Sequence, residues 1–128
     1  MDVVKIVIGN VRDEIHIVGK LLFIRELNKN GFDVFDTGIS VKTEEFVKKV
    51  KERNAKILVL TGLLSHAPKY MKEISKALQD NGLRREIKIL IAGPNVDENW
   101  IKYTNADAFT NSVSQGVAIL LKWRQEFL

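Results

Sequence analysis

The side chains of this sequence best suited to chemistry sit together near its start, in Glu14-Ile15-His16-Ile17-Val18-Gly19. An imidazole can bind a metal or move a proton through one ring nitrogen while the other donates to an acceptor. A carboxylate two residues earlier can be that acceptor, which fixes the tautomer and the orientation of the ring. Two further groups share the character of a binding rim. Thr61-Gly62-Leu63-Leu64-Ser65-His66 sets a hydroxyl beside a point of close backbone approach, and Ala92-Gly93-Pro94-Asn95 ends an apolar run with almost no side chain. Small residues at such ends make room for something that slides between strands and helices.

The elements that must position these groups alternate without a break. Val4 to Gly9 reads as a buried strand, and Val18 to Asn30 as a helix that Asn30-Gly31 terminates. Phe32 to Asp36 is a second strand. Thr43 is placed to cap a helix with Phe46, Val47 and Val50 on its buried side, closed by Asn54. Lys56 to Thr61 is a third strand, apolar on both faces as a central parallel strand should be. Pro68 opens a helix that stops at Asn81-Gly82, and Ile87 to Ile91 is the fourth strand. A short helix with Trp100, Ile101 and Tyr103, packed on the sheet, precedes a fifth strand at Asp107 to Thr110. Ser112 or Ser114 then caps a last helix through Trp123. This rhythm implies a flavodoxin-like (Rossmann-like) α/β fold, a five-stranded parallel sheet of order 2-1-3-4-5 with right-handed crossovers and helices on both faces. The switch point then lies between strands one and three, where ligands of such sheets bind beyond the carboxyl ends. Glu14, His16, Thr61 and Gly93 all belong to loops at that edge.

Composition narrows the function classes. The 128 residues, 45% of them hydrophobic, suffice for one domain over 1–128 with a sizeable core. Cysteine is absent, which removes disulfides, thiolate metal sites and cysteine nucleophiles. The expected setting is cytoplasmic, without membrane insertion, because no apolar run is long enough to span a bilayer and no signal-like N-terminus is present. The net charge of +4 comes from lysines interleaved with glutamates, as in Glu44, Glu45, Lys48, Lys49, Lys51 and Glu52, which is the pattern of a solvated helix and argues against nucleic acid.

The three loops together resemble the cobalamin (vitamin B12)-binding domain of corrinoid methyltransferase proteins, methionine synthase and the carbon-skeleton mutases. That family has Asp-x-His-x-x-Gly after strand one, Ser-x-Leu after strand three and Gly-Gly after strand four. Here Glu14-Ile15-His16-Ile17-Val18-Gly19, Thr61-Gly62-Leu63 and Ala92-Gly93 occupy those places, and the similarity runs over nearly the whole chain. Asn30-Gly31-Phe32-Asp33-Val34 and Thr43-Glu44-Glu45-Phe46-Val47 look like the methyl-carrier branch. The resemblance implies a corrinoid held base-off, with His16 as lower cobalt ligand, Glu14 as the acceptor behind it, and Thr61 bonded to the displaced nucleotide tail. Gly19, Gly62 and Gly93 would leave that tail its passage. It further implies a non-catalytic carrier that works with a methyltransferase catalytic subunit, lacks the N-terminal helical cap of the methyl carriers, and can self-associate.

Glu14, Thr61 and Ala92 each depart from the family pattern, as does Ile17, which stands where methyl carriers have an acid. Two other readings therefore keep the same fold: the small cobalamin-binding subunit of a mutase, completed by a larger catalytic subunit, and a cofactor-free interaction or sensor module. Other uses of the fold fail on residues. A phospho-receiver needs an aspartate where Thr61 stands and a lysine where Asn111 stands, and neither a dinucleotide-binding nor a Walker glycine motif is present. Two distant histidines do not make a zinc-hydrolase centre.

Overall fold

In a computed structural model, which describes residues 3–127, the strands are β1 (Lys5–Asn10), β2 (Asp33–Asp36), β3 (Ile57–Thr61), β4 (Lys88–Ala92) and β5 (Ala108–Thr110). The helices are α1 (Val18–Lys29), α2 (Thr43–Arg53), α3 (Ala67–Asp80), α4 (Glu98–Thr104) and α5 (Val113–Glu126), and a single 3-10 turn spans Arg84–Glu86. All neighbouring strands pair in parallel in the order β2-β1-β3-β4-β5, as the alternation predicts.

The sheet separates two apolar cores. On one face Val7, Leu58, Leu60, Ile89 and Ile91 pack against Phe46, Val50, Met71, Ile74 and Leu78 of α2 and α3. On the other, Ile6, Ile8, Ile57, Val59 and Leu90 meet Phe23 and Leu27 of α1 and Leu120 and Trp123 of α5. Ile57 to Leu60 are all fully buried, so the unbroken apolar run of β3 reflects cover on both faces.

Helix ends follow local chemistry with one correction. Asn54 and Asn105 end α2 and α4 in left-handed conformation, at φ 52° and 61°, and Gly31 and Gly82 follow α1 and α3 at φ 85° and 73°. Ser112, not Ser114, caps α5: its hydroxyl accepts from the Gln115 amide at 3.2 Å. Thr43 does not cap α2. The chain arrives extended through Lys42, Thr43 is already the first helical residue, and no side-chain cap forms there. Glu44 and Glu45 in the first turn offset the exposed amides instead. Trp100 is half-buried and Trp123 buried, whereas Tyr103 is exposed with the Lys72 ammonium over its ring at 4.4 Å. Among the described residues, no helix is long and apolar enough to cross a membrane.

Candidate functional site

Four strands end in one lateral row. The parallel register sets Asn10 of β1 beside Thr61 of β3, Thr61 beside Ala92 of β4, and Ala92 beside Thr110 of β5. Above this row, between the N-terminal turns of α1 and α5, lies a cavity of ≈ 220 Å³. Eight of the nine residues singled out from sequence line it: Glu14, His16, Gly19, Thr61, Gly62, Leu63, Ala92 and Gly93. Ile15 does not. It is 63% exposed, on the rim outside the cavity.

The loop after β1 displays the histidine outward. The His16 side chain is 56% exposed, and its Nδ1 lies 3.6 Å from Glu14 Oε2. Glu14 itself is fully buried, and most of its bonding capacity goes elsewhere than expected. Its Oε1 accepts from the backbone amides of Leu63 and Leu64, the latter at 2.6 Å, so the carboxylate staples the first loop to the third. The extra methylene of glutamate gives that reach. Oε2 has no hydrogen-bond partner among the described residues and faces the imidazole at a separation beyond a hydrogen bond. The pair is therefore adjacent, while the close contact expected from sequence is not formed.

The glycines have two distinct causes. A Cβ on Gly93 would fall 2.0 Å from the Gly62 carbonyl oxygen, where the β3 and β4 loops touch, and one on Gly62 would fall 2.5 Å from Ala67 Cβ at the start of α3, so both glycines are demanded by internal packing. Gly19 is different. A Cβ there meets no atom of the described residues within 4 Å, and glycine in an exposed helical turn costs about 1 kcal/mol relative to alanine. Internal packing does not account for it. The space it leaves open belongs to the cavity. Ala92 adds a methyl group to the same wall and is accommodated without displacing the ladder, its carbonyl still accepting from the Gly62 amide at 3.0 Å.

Several wall residues carry no motif. Lys20 is only 4% exposed and donates to Asp36 Oδ1 at 2.9 Å and to the Gly38 carbonyl at 2.8 Å, tying the start of α1 to the end of β2. Asn10, 2% exposed, donates from Nδ2 to the His16 carbonyl at 2.9 Å and so holds the histidine loop down. Phe23, Asn111, Ser112 and Val113 complete the α1 and α5 sides. The one sequence signal for Lys20 was a charge directly after Gly19 on the inward stripe of α1; the others depend on how α5 approaches. Thr61 keeps its hydroxyl at the wall, with the proton donated to the Gly9 carbonyl at 3.3 Å, which leaves the oxygen as an acceptor. His66, outside this cavity, stacks edge-on with Tyr70 at 5.7 Å.

A family model for the B12 binding domain matches residues 4–112. The chain belongs to the B12 binding domain family. The cofactor of that family is cobalamin, a cobalt corrinoid, as the three loop motifs indicate. Dimethylamine corrinoid protein 2 of Methanosarcina mazei is 31% identical over 113 residues, which are 88% of this chain and 53% of that protein. A solved cobalamin-binding protein from Desulfitobacterium hafniense DCB-2 superposes with a TM-score of 0.93 at 38% identity, over 95% of this chain and 60% of the other. The methanol:cobalamin methyltransferase complex of Methanosarcina barkeri contributes a chain of the same fold, with a TM-score of 0.84 at 22% identity over 91% of this chain and 44% of that one. This chain spans about half the length of the curated relatives it matches.

The residues present fit the family's cofactor on two counts. His16 offers a more than half exposed imidazole, the usual kind of metal-ligating side chain, at the wall of the cavity. Gly19 keeps that cavity open where packing gives no reason to.

Proposed function

We propose that this B12 binding domain is a corrinoid carrier that serves methyl transfer with a methyltransferase partner, holding cobalamin base-off with His16 as the lower cobalt ligand. The observation that carries the reading is the pairing of one outward imidazole with the cavity of ≈ 220 Å³ that it lines, between α1 and α5. When bound, the corrinoid supplies a cobalt that can accept and surrender a methyl group. Everything else is asked of the protein.

His16 would hold the metal through Nε2, since Nδ1 is the nitrogen turned toward Glu14. Glu14 fixes where that imidazole stands by anchoring its loop to Leu63 and Leu64, and its free oxygen offers a negative charge behind the ring. Asn10 holds the His16 backbone from the other side. Ile15 and Ile17, the chain neighbours of His16, and Leu64 are exposed and would offer an apolar seat for the macrocycle. Ala92 and Gly93 with Gly62, Leu63 and Thr61 wall the passage for the nucleotide tail. The relatives support the methyl-carrier branch, because their names place them in methylamine and methanol systems. A carrier of this kind hands its cargo to a separate catalytic subunit.

The test is retention of a chromophore. Purified protein mixed with hydroxocobalamin and freed of excess by gel filtration should stay coloured. The His16→Ala variant should fold normally, since the side chain is more than half exposed, and should show a different visible spectrum. A colourless natural protein refutes the carrier; an identical spectrum in the variant refutes histidine ligation alone.

A further inference from the structure

Backbone strain marks a second place that bears on His16. Among the described residues, four other than glycine sit at left-handed φ: Asp13 at 67°, Ser40 at 46°, Asn54 at 52° and Asn105 at 61°. The two asparagines end α2 and α4, which accounts for them. Asp13 and Ser40 end no helix, and each lies in a loop bonded to the other. The Ser40 hydroxyl oxygen accepts from the Asp13 amide at 3.0 Å, and the Ser40 amide donates to the Glu14 carbonyl at 2.9 Å. A left-handed serine is uncommon, and it persists only where its surroundings hold it.

Those two bonds are most of what holds the histidine loop by its backbone. Apart from a turn in which the Glu14 amide donates to the Val11 carbonyl, the backbone from Asp13 to His16 is bonded elsewhere at three points among the described residues. Ser40 takes the Asp13 amide and the Glu14 carbonyl, and Asn10 takes the His16 carbonyl. Ser40 is itself well anchored. The nearby Gly38 carbonyl accepts from the Asn10 amide at 3.1 Å and from Lys20 Nζ at 2.8 Å, and the amide of buried Val41 donates to the Asn10 carbonyl at 3.0 Å. The Asp13 carboxylate is met from α3 by the Tyr70 hydroxyl at 3.4 Å. Ser40 is exposed, so no core packing asks for its hydroxyl.

We infer that Ser40 is a positioning residue for the histidine ligand: it fixes the left-handed corner at Asp13, from which Glu14 and His16 depart, and so sets the imidazole in place before a corrinoid arrives. The inference rests on the proposed ligation of cobalt by His16. It adds a residue of the loop between β2 and α2 that belongs to none of the three motifs and does not line the cavity. A side chain already held in its bound geometry loses less entropy on association. Loss of the hydroxyl leaves the Asp13 amide to water and lets the corner relax toward the conformations that ordinary residues prefer. The imidazole then stands in its ligating position for a smaller share of the time, and apparent affinity falls by that share.

The experiment is a double-mutant cycle read by spectral titration with hydroxocobalamin. It compares the natural domain, Ser40→Ala, His16→Ala and the double variant, with Ser40→Asn beside them and circular dichroism checking that each is folded. Asparagine tolerates left-handed backbone and returns an oxygen acceptor. Ser40→Ala should bind about fivefold more weakly than the natural protein, the usual worth of one hydrogen bond. Ser40→Asn should recover most of that loss, and the serine substitution should change nothing further once His16 is gone. A purely structural role would weaken both backgrounds alike, and that result overturns the inference. So does a Ser40→Ala variant that binds like the natural protein. If the variants without His16 bind too weakly to compare, electron paramagnetic resonance of the cobalt(II) form in protein labelled with ¹⁵N-histidine decides. The splitting from the labelled nitrogen should lose weight in Ser40→Ala and return in Ser40→Asn, and an unchanged signal overturns the inference. Failure of the natural protein to bind removes the carrier reading itself. A His16→Ala variant with unchanged affinity and spectrum removes histidine ligation, and the role of Ser40 with it.

Discussion

Glu14 and His16 are close in sequence and divergent in task. Glu14 is a buried carboxyl group whose main partners are two amides 49 and 50 residues further on, and His16 is a side chain more than half exposed to solvent. Replacing Glu14 with alanine takes the acceptor away from the part-buried Leu63 and Leu64 amides and should cost about 2 kcal/mol in urea unfolding. Glu14→Gln keeps an acceptor at that place and should cost about 1 kcal/mol, while changing the group that faces Nδ1. If both variants unfold alike, the carboxylate is not the staple between the loops. The sequence marks these two residues by type and spacing, and it fails to reveal the staple because nothing near Glu14 announces a partner 49 residues away.

At the scale of elements, the cavity exists because α1 and α5 stand apart at their N-terminal ends while meeting at Phe23 and Gly116. Two local devices hold that geometry. Lys20 pins α1 to the β2 end through Asp36 and Gly38, and Ser112 caps α5. Lys20→Met should cost about 2 kcal/mol, because it takes the ammonium from a partly buried carboxylate, which keeps only the Gly38 amide, and from the Gly38 carbonyl; a loss below about 0.5 kcal/mol in chemical denaturation would mean that water replaces the ammonium. Ser112→Ala should cost about 1 kcal/mol, the usual worth of such a cap. Strands and helices were legible here because buried parallel strands read as unbroken apolar runs and helix stops carry Asn or Gly. Thr43 misled because a good capping type sits one residue inside the helix, and the burial of Lys20 was hidden because lysine types surface positions almost everywhere else in the chain.

For the molecule as a whole, the two cores on either side of the sheet are complete without a ligand, so cofactor binding should add stability and not create the fold. Binding to the native state alone contributes RT ln(1 + [L]/Kd), about 2.7 kcal/mol at a hundredfold excess over Kd. For a domain of this size that corresponds to a rise in Tm of about 10 °C. A thermal melt by circular dichroism with and without hydroxocobalamin measures it. The His16→Ala variant should melt near the natural protein when both are free of ligand, because an exposed side chain contributes little, and should gain less on addition of cofactor. A melt of the natural protein that does not move with hydroxocobalamin would mean that the cavity between α1 and α5 takes no corrinoid tail, whatever the family pattern at its rim. A shift equal in both proteins would place the binding energy in the tail cavity and leave His16 without a share of it.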